Sequence, residues 1–302
     1  MGYERQLSKE DIRSQYAAFT YRFSQEPFDQ VHADVEEQVK RFYHDSNFLL
    51  QMSILMLNHH MLSEHSASIL NAADEWLEHG RKLSDDIWIT KQINYLQASI
   101  ALIKANPETA LNLLEAVNQP KMGDEVLLAT AYEQLDNQTQ AKRVIQVMMY
   151  QNIIEVVGSS PNYLQLVSSD LPIFNETIDR IEGLIELYSL RWLHPNTCLQ
   201  FYYSVAQRAA SQGNSDLMYT YLEKFVDGCI HDLFPLALRS DDYFYLLQEW
   251  LEDLDLGTNV PRDASIIKQS IHDSINTPFF DTYADEDRMT KLKERLASGM
   301  EI

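Results

Sequence analysis

The nineteen residues LLATAYEQLDNQTQAKRVI, Leu127–Ile145, constrain this chain more than any other stretch. Leu128 precedes a small residue, Ala129; Tyr132 follows three positions later and Ala141 twelve positions later. Asp136-Asn137 supplies a turn, because short polar side chains tolerate the left-handed backbone that a tight reversal needs. Two antiparallel helices approach closely only where small side chains meet at their crossing. Ala129 and Ala141 are read as that pair, with Tyr132 filling the space beside them.

The same frame fits two other stretches. Ala98 and Ala110 lie twelve apart, with Leu114 as a later core position, in a unit that starts 31 residues earlier. On FYYSVAQRAASQGNSDLMYTYLEKF the frame gives Val205-Ala206, Ala209, a turn at Gly213-Asn214, and Met218 where a small residue is expected. These units resemble the tetratricopeptide repeat, the helix-turn-helix unit of about 34 residues. The resemblance covers the Leu-small, Tyr and second-helix Ala positions. It departs at the first-helix tryptophan, where this chain has Glu125.

The rest of the chain agrees with helices. There are nine Gly and nine Pro in 302 residues, where average usage gives roughly twenty and fifteen. Strand-rich folds need many tight turns, so the scarcity favours long helices. Expected helices cover residues 9–22, with Ser8 and Asp11 as a near capping box, then 27–43, a nearly all-apolar 47–62, and 66–83. Two more are divided at Asn106-Pro107, since proline opens a helix and breaks its interior. In NIIEVVGSSPNYLQLVSSDLP the expectation is a helix end and then a loop at Gly158–Pro161. Helices resume over 172–190, 196–212 and 215–232, and three more follow, separated by DLGTNVP and NTP. The expected architecture is an all-α, tetratricopeptide-like helical-repeat (α-solenoid) array of antiparallel helix pairs. It is one helical-repeat domain over 1–302, with a soft sub-boundary near 153–171 between halves 1–152 and 172–302.

Charge and cysteines bound the function. Lys plus Arg is 24 and Asp plus Glu is 45, a formal net charge of −21. Such a chain repels a phosphate backbone, and no basic cluster offsets this, so direct nucleic-acid binding is not expected. Cys198 and Cys229 do not make a disulfide framework and are expected to be buried thiols. The N-terminal MGYERQLSKEDIRSQ lacks the apolar core of a signal peptide, and FLLQMSILML is too short to span a bilayer. A cytoplasmic protein without a membrane span is expected.

The chain carries no G-x-G-x-x-G, Walker loop, H-E-x-x-H, G-x-S-x-G or C-x-x-C motif, and neither an enzyme nor a cofactor is expected. Three stretches carry chemistry-bearing side chains. NHHMLSEH gathers His59, His60, Glu64 and His65. His60 and Glu64 share a helix face at i and i+4, but His65 lies about 100° round from Glu64, which suits a polar helix end better than a metal site. EWLEDLDLG gathers Glu249, Glu252, Asp253 and Asp255 without calcium-loop spacing and reads as a solvated helix end. FYYS and DDYFYLLQEW concentrate aromatics, which suit a binding groove or the core.

The all-helical pattern, the central repeats and the closing TPFFDTYADEDRMTKLKERL together resemble the helical sensor domains of Gram-positive helix-turn-helix regulators of the Rgg and PlcR type. In that closing segment Phe279 and Phe280 lead to an apolar stripe, Met289, Leu292 and Leu296, expected to cap the last repeat. The resemblance implies a short peptide or small effector in a concave groove, a homodimer, and a DNA-binding domain that this chain lacks. In tetratricopeptide repeats the first helix of each hairpin lines the groove. Carried over, the groove residues are Gln92, Tyr95 and Ser99; Val126, Thr130, Glu133 and Gln134; and Gln200, Tyr203 and Gln207. The alternative is an adaptor or scaffold that binds a folded protein partner, with an enzyme as a distant third.

Overall fold

Long runs of helix formers meet few breakers, and the computed structural model is helical wherever it is regular. It describes residues 6–117, 119–257 and 261–301, among which there is no strand. Residues 1–5 and 258–260, the latter part of the DLGTNVP separator, lie outside the described residues. The helices pack as two units, Met1–Met122 with Pro261–Asp263, and Gly123–Val260 with Ala264–Ile302.

The first unit holds α1 (Lys9–Gln25), α2 (Phe28–Arg41), α3 (Ser46–His59), α4 (Ser66–Leu83), α5 (Ile87–Ile103) and α6 (Pro107–Leu114). Their starts follow from side chains that accept otherwise unpaired backbone N–H groups. The Ser8 Oγ accepts from the Asp11 N–H at 3.1 Å, and the Asp11 carboxylate accepts from the Ser8 N–H at 3.2 Å, the expected box. Asp45, Asp86 and Asn106 cap α3, α5 and α6 in the same way. The nearly all-apolar α3 is buried on most sides, and α1, α2, α4 and α5 all pack on it. It ends one turn earlier than expected and continues as a 3-10 turn, His60–Leu62. The α5–α6 pair splits where Asn106-Pro107 requires, and Ala98, Ala101 and Ala110 meet in one buried cluster with Leu113 and Leu114 against them.

The second unit holds α7 (Asp124–Gln134), α8 (Gln138–Leu166), α9 (Leu171–Leu187), α10 (Leu190–Leu193), α11 (Pro195–Ser211), α12 (Ser215–His231), α13 (Leu247–Asp253), α14 (Ala264–Ser274) and α15 (Asp287–Met300), with a 3-10 helix at Pro278–Tyr283. Asp136 makes the turn between α7 and α8 with a left-handed φ of 56°, and Ala129 is the buried residue of α7. Val205, Ala206 and Ala209 are buried on α11, and Met218 faces the core from α12 at the position where a small residue was expected. Met289, Leu292, Leu296 and Met300 form the buried stripe by which α15 packs on α12.

One expectation is overturned. Gly158–Pro161 is not a loop; α8 runs through it for 29 residues. Proline offers no N–H to the carbonyl four residues back. Here the Ser160 Oγ donates to that carbonyl, Val157 O, at 2.6 Å, so the acceptor is satisfied. Tyr150, Val157, Ser160 and Leu164 make one buried stripe at helical spacing. Its burial offsets the roughly 3 kcal/mol that an interior proline costs. The soft boundary placed near 153–171 therefore falls largely on a continuous helix inside the second unit.

Two glycines test this packing with the same substitution and opposite signs. A Cβ on Gly299 of α15 would stand 2.7, 2.8 and 3.0 Å from three atoms of Ile230, on both branches of that side chain. Gly299→Ala is expected to destabilise by about 1–3 kcal/mol through overpacking. A Cβ on Gly183, mid-helix in α9, meets nothing within 4 Å. Gly183→Ala is expected to stabilise by roughly 0.5–1 kcal/mol. Urea unfolding of both variants checks the pair.

Candidate functional site

The second unit carries a cleft of about 590 Å³, within the range of small-ligand sites. It lies where the last turns of α9 and α12 meet α10, the middle of α11 and the connection that follows α12. Ile185, Trp192, Tyr202, Phe234 and Pro235 give it apolar and aromatic walls. Glu182, Glu186, Arg191, His231, Asp232 and Arg239 give it charge.

Local structure places each of these groups. Ser189, with a left-handed φ of 50°, reverses the chain after α9 and turns Arg191 and Trp192 toward the cleft. Arg191 donates from Nε to Asp232 Oδ2 at 2.7 Å and from Nη2 to Asp227 Oδ2 at 3.0 Å. The Trp192 indole N–H donates to Ser240 O at 3.0 Å. Arg239 lies over the Trp192 ring, 4.7 Å from its centroid. It donates from Nη1 to Asp232 O (3.1 Å) and Trp192 O (3.4 Å), and from Nη2 to Pro235 O (2.9 Å). The connection carrying Arg239 is pinned to the core at Phe244, whose ring packs on Tyr150 and Tyr188. The Gln146 amide of α8 also holds it, accepting from the Leu246 N–H and donating to Tyr243 O, each at 3.0 Å.

Burial and pairing set the charge states along the inner wall of the cleft. Lys224 pairs with Glu182 and sits 4.7 Å from the Tyr221 ring centroid. Burial holds the Tyr202 hydroxyl well above the usual tyrosine range. It also pushes the nearby Cys198 thiol up to about 12. Both stay protonated near neutrality, and a buried thiol of this kind is inert.

The groove residues carried over from the repeat resemblance lie elsewhere. Gln92, Tyr95 and Ser99 are on α5 in the first unit, where Tyr95 is 65% exposed. Val126, Thr130, Glu133 and Gln134 are exposed on α7, and the Thr130 hydroxyl donates to Val126 O. Gln200 is exposed and Gln207 half-buried on α11. Tyr203 donates to Ser274 O at 2.8 Å and packs its ring on Phe225 and Phe280. None of these ten lines the cleft. Tyr202, one residue from a predicted position and part of the flagged FYYS, does. Arg191, Trp192 and Arg239 are not singled out by any motif or repeat position in the sequence. The signal that would have found them is length: the connection between α12 and α13 is irregular over 232–246, longer than most links in compact folds and so a place to look for function.

The acidic EWLEDLDLG segment is a helix end in which Glu249 and Asp253 pair with Arg143 of α8. Among the described residues no group of three or more His, Cys, Asp or Glu is placed to hold a metal ion, and no helix is long and apolar enough to cross a membrane. No family model, no curated protein and no solved structure matches the chain.

The NHHMLSEH stretch separates into different roles. His60 Nδ1 lies 2.7 Å from Ser66 Oγ, whereas His59 is fully buried in the first unit. The His59 ring stacks on Phe23 at 4.7 Å, and its Nδ1 lies 2.8 Å from Leu55 O. Burial lowers its pKa from 6.5 to about 4. The unfolded chain therefore takes up this proton first as pH falls. Stability is full above about 6.5 and declines toward pH 4, by on the order of 2 kcal/mol. Urea unfolding at about pH 7 and about pH 4.5 is expected to show the loss, and His59→Phe to reduce it.

Proposed function

We propose that this chain is an effector-sensing and protein-interaction domain built of tetratricopeptide-like helix pairs, the regulatory part of a transcriptional regulator. The ligand is a short peptide or small effector, and the cleft of the second unit receives it. The observation that carries this reading is the cleft itself, where aromatic walls stand beside two arginines and a tryptophan already fixed by hydrogen bonds. Such a lining is ordered before a ligand arrives. The helix pairs α3–α4, α5–α6, α7–α8 and α11–α12 support the repeat-like part of the reading. In this proposal the chain works as a cytoplasmic homodimer and catalyses nothing.

The adaptor alternative rests on its own observation. Leu127, Leu128 and Leu135 of α7 and its C-cap are exposed, Leu135 by 77%. Exposed apolar side chains gathered on one helix suit a protein partner.

A thermal-shift screen with short peptides separates the two. A ligand of the folded state raises the melting temperature, by about 2–4 °C per kcal/mol of linkage in a unit of this size. Trp192→Ala is expected to abolish the shift, whereas Leu127→Ser with Leu135→Ser is expected to leave it intact. A peptide that stabilises the Trp192→Ala protein as well as the parent would remove the cleft from the proposal.

A further inference from the structure

We propose that the cleft reads a carboxylate, the free C-terminal carboxylate of an apolar peptide, and that Arg239 is its receptor. This rests on the cleft being the ligand site, as proposed above. The inference starts from the donors of Arg239. A guanidinium has five N–H groups. Arg239 uses three on the carbonyls of Trp192, Asp232 and Pro235. The Nε–H and one Nη2–H are unused. These are the two nitrogens that Arg22 directs at Glu26, at 2.7 and 2.8 Å, to hold a carboxylate two-pronged.

Charge accounting in the cleft agrees. Asp232 and Asp227 are paired with Arg191, Asp227 also with Arg295, and Glu182 with Lys224. Arg239, half-buried beside them, makes no ion pair with any described residue. In a chain with 45 acidic and 24 basic residues, acids to pair with it are abundant. A partly desolvated guanidinium held by three carbonyl oxygens and the face of Trp192 keeps its charge unneutralised and can receive an external anion. The surroundings select the anion. Glu182, Glu186 and Asp232 also line the cleft, so a dianion such as phosphate meets more repulsion than a monoanionic carboxylate. Ile185, Trp192, Phe234 and Pro235 offer apolar surface to the residue that bears it.

The test uses N-acetyl-leucyl-phenylalanine and its carboxamide, which differ only in the C-terminal group, an anionic acceptor in one and a neutral amide in the other. Titration calorimetry on the intact chain is expected to give binding of the acid about tenfold tighter than the amide. Arg239→Gln is expected to bring the acid down to the affinity of the amide, and Arg239→Lys to recover only part of the difference, because a lysine cannot present two parallel donors. These arginine variants could also loosen the connection they hold, so Glu186→Gln provides a second reading. Removing that exposed acid is expected to tighten the acid about two- to threefold and leave the amide unchanged. Equal binding of acid and amide would overturn the carboxylate inference while leaving the cleft as the ligand site. Displacement of the acid by equimolar inorganic phosphate would overturn it in favour of a phosphate. Binding of neither probe would overturn both the inference and the cleft.

Discussion

The second unit is organised by the burial of α11. Cys198, Leu199, Phe201, Tyr202, Val205, Ala206 and Ala209 are all buried on this one helix. A helix apolar on several sides must be covered on several sides, and α8, α10, α12 and the 3-10 segment Pro278–Tyr283 all pack on it. Small residues permit the closest of these approaches. A Cβ on Gly228 of α12 would stand 2.6 Å from Leu199 Cδ2, so the Leu199 side chain of α11 fills the space left by the missing side chain. The cleft inherits its rigidity from this arrangement. Tyr202 forms part of its wall and belongs to the same buried face as Cys198 and Phe201, so that wall cannot move without opening the core.

Electrostatics adds orientation more than energy. Arg191 joins α10 to Asp227 and Asp232, Arg295 joins α15 to Asp227, and Arg288 of α15 binds Glu223 while lying over the Tyr219 ring. All but Asp232 of these side chains are more than a third exposed, and solvent-screened pairs of that kind contribute about 0–1 kcal/mol each. Their value lies in geometry. Asp227 serves Arg191 and Arg295 at once, so the end of α12 is fixed relative to both α10 and α15. With a net charge of −21, basic side chains are the scarce ones, and Arg143, Arg191, Lys224, Arg288 and Arg295 each bridge two helices. The hydrogen-bond partners of Arg239 are instead backbone carbonyls.

Much of the helical architecture was legible in the sequence because it rests on local rules. The Ser8–Asp11 box, the Asn106-Pro107 break, the Asp136-Asn137 turn and the closing Met289, Leu292 and Leu296 stripe each depend on a few neighbouring residues. The passage of α8 through Pro161 was not legible, because it depends on a tertiary stripe and on the Ser160 hydroxyl. The cleft was harder still. Its lining comes from α9, α10, α11, α12 and an irregular connection, between Glu182 and Arg239, and nothing in the periodicity brings those residues together. The ten carried-over groove positions follow a rule about first helices of hairpins. The cleft instead sits where helix ends converge.

That location bears on how a ligand would be held. Binding to a flexible loop requires the loop to be ordered, at a cost of about 0.5–1.5 kcal/mol for each side chain immobilised. Here the connection that carries Arg239 is already fixed at three points: the buried Phe244, the Gln146 amide of α8 and the Trp192 indole N–H on Ser240 O. Arg239 is itself held by three carbonyls and by the face of Trp192. Little conformational freedom remains to be lost at either arginine. A modest ligand, with one carboxylate and one apolar side chain, can therefore gain affinity from few contacts. In the proposed reading, a cleft ordered in this way would distinguish ligands by the geometry and charge of one end and tolerate variation in the remainder.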